Sequence, residues 1–184
     1  MEQPATLDPD ATAVLFHYGA TMVAVQNFER SLATLVLILG RSPRTREPKT
    51  REAAARALQR ALHAYRRVSA AELRRKLPED FDPELLPELE VMIDWRDRLA
   101  DRYLMEKLAL DDGPGHFQPG TADELMEVGI GFQVVVAKLG EKITAAAAEL
   151  PKGRGAADAL GELIDGLARP VTLGEGWKSP AMDR

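Results

Sequence analysis

Ile93-Asp94-Trp95-Arg96-Asp97-Arg98-Leu99-Ala100-Asp101-Arg102-Tyr103 is the stretch whose reading decides the fold, because it sets an arginine where a helix calls for an apolar residue. Leu85, Leu89, Met92, Ile93, Arg96, Leu99, Ala100 and Tyr103 recur mostly at steps of three and four. That spacing marks one face of an amphipathic α-helix, and Arg96 falls on it. A guanidinium keeps its charge, so on a buried stripe it needs an acidic partner in the core or a wet cleft holding an anion. The alternative is an arginine at the stripe's edge, its stem on apolar surface and its head in water.

A second charge poses the same problem. The first helical stretch places Glu29 in line with Val14, Tyr18, Met22, Val25, Phe28, Leu32, Val36 and Leu39. One arrangement answers both, with Glu29 and Arg96 meeting as a structural pair in the interior between antiparallel neighbouring helices.

The remaining pattern is helical throughout, and no run alternates with the period of two of a half-buried strand. Asp8 and Pro9 form a start signal for a first helix that runs to about Leu39, where Gly40 and Ser42-Pro43 stop it. A second helix is expected from about Pro48 to Leu77, with Leu58, Leu62, Tyr65 and Leu73 inward and most of its arginines outward. The third starts at Asp82-Pro83 and continues to about Leu110, Pro87 being tolerated near its beginning. Asp111 to Gly120 reads as a loop, and Thr121-Ala122-Asp123-Glu124 as a capping box for a fourth helix to Leu150.

Helices of this length span roughly 45 Å and are joined by short loops. The expected fold is therefore all-α, an antiparallel up-and-down four-helix bundle. A break at Pro151–Gly155 precedes a short fifth C-terminal helix carrying Leu160, Leu163, Ile164 and Leu167. The domain is expected to cover residues 1–168, and residues 169–184 to form a flexible tail in which Trp177 docks into a groove of the bundle or of a partner.

From Arg96 onward the chain resembles the signature of the HEPN family of small helical domains. In that family an Arg is followed by Asn, Asp or His, three spacers, a His, one further residue and often Tyr. Here Arg96 and Asp97 match, Arg98-Leu99-Ala100 are the spacers, Asp101 stands where the family has its histidine, and Arg102 and Tyr103 follow. The resemblance covers Leu85 to Leu108 and extends to Gln26-Asn27-Phe28-Glu29 of the first helix. It implies a homodimer whose polar cleft binds RNA or a nucleotide, with Arg96 on phosphate, Asp97 orienting Arg96 and Tyr103 lining the cleft. In toxin-antitoxin branches a cognate nucleotidyltransferase modifies the matching tyrosine, which makes Tyr103 a candidate regulatory site by resemblance.

Without the histidine, the resemblance implies a non-catalytic or weakly catalytic RNA-binding, toxin-antitoxin or defence component. Asp97 and Asp101 join Arg96 as the candidate catalytic residues. The first alternative is a protein-binding helical module, such as an antitoxin, immunity or scaffold protein, without nucleic-acid contact. The second is a metal-independent endoribonuclease in which Asp101 or a group from the other subunit replaces the histidine.

Composition narrows these choices. Only 5% of the 184 residues are aromatic against 45% hydrophobic, so the core must be aliphatic, as in packed helices. Cysteine is absent, which excludes disulfides and thiol chemistry and suits a reducing cytoplasm. Met1-Glu2-Gln3-Pro4 carries no leader pattern and no apolar run approaches the roughly 18 to 20 residues that span a bilayer, so a cytoplasmic protein without membrane contact is expected.

The net charge of -5 hides a strong asymmetry. Arg41 to Leu77 holds twelve cations and three anions, a balance of +9, and the other residues hold twelve cations and 26 anions, a balance of -14. Arg56, Arg60, Arg66 and Arg67 from this segment, with Arg96 and Arg102, are the candidate nucleic-acid contacts. An acidic protein partner would suit the same surface, as would a plain solvated face.

Other chemistry finds little support. Asp94, Asp97 and Asp101 share a helix face, but one helix cannot complete a cation cage, so no metal and no cofactor are expected. His17, His63 and His116 lie outside the Arg96 signature and define no acid or base by themselves. Gly129-Ile130-Gly131 reads as a close helix contact and not a phosphate loop, since no strand precedes it.

Overall fold

The computed structural model describes residues 9–40, 56, 60–61, 63–65, 68–109 and 116–149. Its elements are α1 (Pro9–Leu39), α2 (Ala70–Arg75), α3 (Leu85–Asp101), α4 (Tyr103–Lys107) and α5 (Thr121–Ala148). The all-α expectation holds among the described residues, where the extended pairing is an isolated antiparallel bridge between Leu108 and Phe117. Arg66, Arg67, most of the expected second helix, the expected fifth helix, the tail and Trp177 lie outside the described residues.

α1 runs from Pro9 to Leu39, and the Gly40 N–H closes its last turn on the Val36 carbonyl at 2.9 Å. Its burial is not the single stripe expected. From Ser31 to Val36 every residue is buried, and Leu39, assigned to the stripe, is exposed instead. A helix covered on all sides is a central one. The buried Thr34 hydroxyl answers its own hydrogen-bonding need by donating to the Arg30 carbonyl at 2.8 Å. By length and composition alone α1 could cross a membrane, its most apolar window having a mean hydropathy of 1.3, and 56% of that window is buried inside the protein. Helix neighbours thus take up much of the apolar surface that the composition records.

α5 lies along α1 in the same direction. The Thr21 hydroxyl donates to the Leu125 carbonyl at 2.8 Å, and further along both helices Phe28 meets Phe132 edge-on with ring centroids 5.5 Å apart. A Cβ on Gly129 would come within 3.1 Å of Thr21 Oγ1, so the glycine permits the close approach that the sequence pattern suggested. α3 runs opposite to α5, with Glu88 beside Lys138, Met92 against Gly131 and Tyr103 at Glu124.

These directions correct the expected helix order. Tyr18 of α1 donates to the Leu99 carbonyl at 2.8 Å and Glu29 meets Arg96, so α3 runs opposite to α1 as well. Asp82, just before α3, pairs with Lys142 near the end of α5. The chain therefore leaves α1 and enters α3 at the same end. Simple up-and-down alternation would make α1 and α3 parallel and α1 and the last helix antiparallel, the reverse of what is seen. The small-residue contact at Thr21 and Gly129 lets α1 and α5 approach closely along this line.

Local signals explain the helix boundaries. Asp82 Oδ1 accepts from the Glu84 and Leu85 N–H groups at 3.0 and 3.2 Å, occupying donors that the first turn leaves open. The far end of this helix falls short of Leu110. Arg102 departs from helical geometry at φ -146, α4 adds one more turn, and Leu108 is extended. The Ala109 N–H then bonds the His116 carbonyl at 2.9 Å and the Gln118 N–H bonds the Lys107 carbonyl at 2.8 Å. Backbone pairing across the loop has replaced the helix's own bonds there.

The expected capping box at Thr121 is absent. Gly120, in the left-handed region at φ 80, is the residue from which α5 starts, and the Thr121 hydroxyl donates back to the Gln118 carbonyl at 2.6 Å. A capping box does form at α2, where Ser69 Oγ accepts from the Glu72 N–H and Glu72 accepts from the Ser69 N–H. Ala70 and Leu73 bury the short α2 against the core.

Candidate functional site

Arg96 leaves the C-terminal half of α3 with its guanidinium between two carboxylates. Nε donates to Glu29 Oε1 at 2.6 Å, and Nη1 donates to Asp97 Oδ1 at 2.9 Å. The sequence expectation of an interior pair needs correction. The Arg96 and Glu29 side chains keep 31% and 34% of their exposure, so the pair sits at the rim of the α1–α3 contact. Partial desolvation disfavours the charge of Arg96, but the Glu29 and Asp97 bonds outweigh it and hold the guanidinium above its ordinary pKa.

Asp97 thus accepts a bond from the Arg96 guanidinium next to the Glu29 contact. Asp101, the residue in the histidine position, is exposed at the last turn of α3. Arg102 is exposed at the helix break and pairs with Glu106 at 2.7 Å. Arg56 and Arg60 are exposed on helical backbone, with Arg60 Nε donating to the Arg56 carbonyl at 3.3 Å. The structure brings Arg96, Asp97 and Glu29 together; it leaves Asp101 outside that cluster.

Tyr103 does not line an open cleft. It is fully buried, and its hydroxyl donates to Glu124 Oε2 at 3.1 Å with the Thr121 carbonyl 3.4 Å away. Burial first, and then the Glu124 carboxylate, push the phenol well above its usual pKa. Modification of this hydroxyl would require the ring to leave the core. The expectation that Tyr103 presents a modifiable group therefore conflicts with the folded state.

Around Tyr103 is a cluster that the sequence reading did not find. Arg98 Cζ lies 4.9 Å from the centre of the Trp95 ring and 5.4 Å from that of Tyr103, while Lys107 Nζ is 5.6 Å from Tyr103. Arg98 also bonds Glu106 at 2.8 Å and approaches Glu124 to 3.8 Å, and Lys107 pairs with Glu124. The bond to Glu106 is the main reason that the Arg98 guanidinium stays above its ordinary pKa and the Glu106 carboxyl below its own. The Arg102 and Glu106 spacing was a readable helical pair. Glu124 gave no such sign, because its place three residues after Thr121 matched a cap.

Chemically, this is a site of satisfied charges. Each guanidinium near Arg96 already has a carboxylate, and the tyrosine is buried and hydrogen-bonded. His17 packs edge-on against Phe16, while His63 and His116 are exposed. No group of three or more metal-ligating side chains occurs among the described residues. Comparison with known proteins gives no family model, curated protein or solved structure that matches the chain.

Proposed function

We propose that the protein is a non-catalytic helical binding module, its fold a four-helix bundle of non-alternating order. The observation that carries the reading is the commitment of Arg96 to Glu29 and Asp97, which gives the residues of the HEPN-like signature a structural task. A phosphate at Arg96 would have to displace two carboxylates already in charge-assisted bonds. Asp101 supplies no imidazole at the position where the resembled signature has its histidine.

The test is incubation of the purified protein with single-stranded RNA in the presence of a chelator, beside Arg96→Ala. The expected result is no cleavage by either. Cleavage by the unaltered chain that Arg96→Ala abolishes would overturn the reading and restore the ribonuclease.

A second reading, RNA binding without cleavage, draws on the exposed Arg56 and Arg60 within a segment of net charge +9. It would show as RNA retention that falls steeply with salt and that Arg56→Ala and Arg60→Ala weaken across all sequences alike.

A further inference from the structure

The side of α5 turned away from the core carries a ridge that the packing leaves uncovered. Met126, Ile130 and Val134 are 46%, 52% and 49% exposed. Their spacing of four residues sets them in one line about 12 Å long. The opposite side of the same helix is spent on the core through Leu125, Val128, Phe132, Val135 and Leu139.

Among the described residues of α5, the exposed charge beside this ridge is acidic. Asp123, Glu127 and Glu141 are exposed alongside it. The helix's two lysines do not offset them, because Lys138 turns to Glu88 and Lys142 to Asp82, both at 2.5 Å. On the adjoining α3, Val91 is 51% exposed and Asp94 and Asp101 are exposed, while Glu90 and Asp97 are taken by Arg74 and Arg96. Apolar side chains standing in line within an acidic field are complementary to an amphipathic helix with basic flanks.

We propose that the outer face of α5 docks a basic amphipathic helix of a partner protein, with apolar residues at helical spacing entering along Met126, Ile130 and Val134 and Lys or Arg facing Asp123, Glu127 and Glu141. The inference rests on the binding-module reading and names its partner chemistry. Self-pairing of this face is disfavoured, because a second copy would bring like charges together. The segment 157–168 of the chain has apolar residues at suitable spacing but carries Asp158, Glu162 and Asp165, the same sign again.

The experiment uses the full chain and two labelled synthetic helical peptides with identical leucine spacing, one flanked by lysines and the other by glutamates. Fluorescence anisotropy should show saturable binding of the lysine peptide that weakens with salt, and no binding of the glutamate peptide. Ile130→Ser should weaken binding about tenfold, since a half-exposed isoleucine loses its apolar contact. Val134→Ser provides a second readout at a position equally remote from the core, with circular dichroism to verify that each variant keeps its helix content. Absence of saturable binding, equal binding of the two peptides, or indifference to both substitutions overturns the proposal. So does self-association of the unaltered chain that Ile130→Ser abolishes, which assigns the ridge to a second copy. RNA cleavage would overturn the binding-module reading whatever the peptides do, whereas peptide failure without cleavage overturns only the docking proposal.

Discussion

Arg96 reaches Glu29 at 2.6 Å from a helix that runs opposite to α1, and shares its other edge with Asp97. The pair therefore bridges two helices at the molecular rim, where water screens it but does not replace it.

Because both side chains are about one-third exposed, Glu29→Gln should cost far less than the loss of a buried pair. The expected destabilisation is about 1 kcal/mol, near the top of the range for exposed pairs and below the roughly 3–5 kcal/mol of a buried one. A double-mutant cycle with Arg96→Met in urea measures the coupling. A value at the buried end would mean that the pair closes away from solvent.

Gly129 and Gly140 lie on the same helix and should respond oppositely to alanine. At Gly140 nothing stands within 4 Å of the added Cβ, so Gly140→Ala should stabilise by about 1 kcal/mol through helix preference alone. At Gly129 the Cβ meets Thr21 Oγ1 at 3.1 Å, a hydroxyl already held by the Leu125 carbonyl. Overpacking of about 1–3 kcal/mol should exceed the gain. Adding Thr21→Ala to Gly129→Ala should recover part of the loss, and thermal unfolding of the four proteins reads out the difference.

Asp82 and Lys142 tie the start of α3 to the end of α5, and they shape stability at both ends of the pH scale. The bond to Lys142 lowers the Asp82 pKa from 3.8, so its contribution is present above that value and disappears as acid protonates the folded form. The same bond raises the Lys142 pKa from 10.5, so that part is present below 10.5 and disappears as pH rises further. Asp82→Asn keeps a cap acceptor while removing the charge. Its melting temperature should be lower near neutrality, and its deficit relative to the natural chain should shrink in acid and in strong alkali.

Helix boundaries were legible at Pro9 and Leu39, while the helix expected from Asp82-Pro83 begins at Leu85. The Glu29 and Arg96 contact was also readable, since both charges interrupt apolar stripes. Their exposure was not, because sequence spacing gives a face but not the angle at which another helix covers it. Helix direction failed for a related reason. The order of elements suggested alternation, while the contact of Thr21 with Gly129 and Leu125 joins residues far apart in sequence that no local pattern links. Glu124 shows the remaining limit: Thr121 and Glu124 fit a cap by spacing, yet Gly120 begins the helix and Glu124 turns to Tyr103 and Lys107.

A histidine placed at Asp101 should not create a ribonuclease. Asp101 is exposed at the end of α3 and Arg96 is held by Glu29 and Asp97, so Asp101→His adds an imidazole without freeing the cation that would receive phosphate. Adding Glu29→Gln to Asp101→His removes one of the two competing carboxylate charges and gives Arg96 its best opportunity. The expected outcome is no metal-independent RNA cleavage by Asp101→His and none by the double variant, followed on a single-stranded substrate with chelator present. Cleavage by Asp101→His that Arg96→Ala removes would mean that the Arg96 contacts give way readily, and that the HEPN-like signature retains its catalytic geometry.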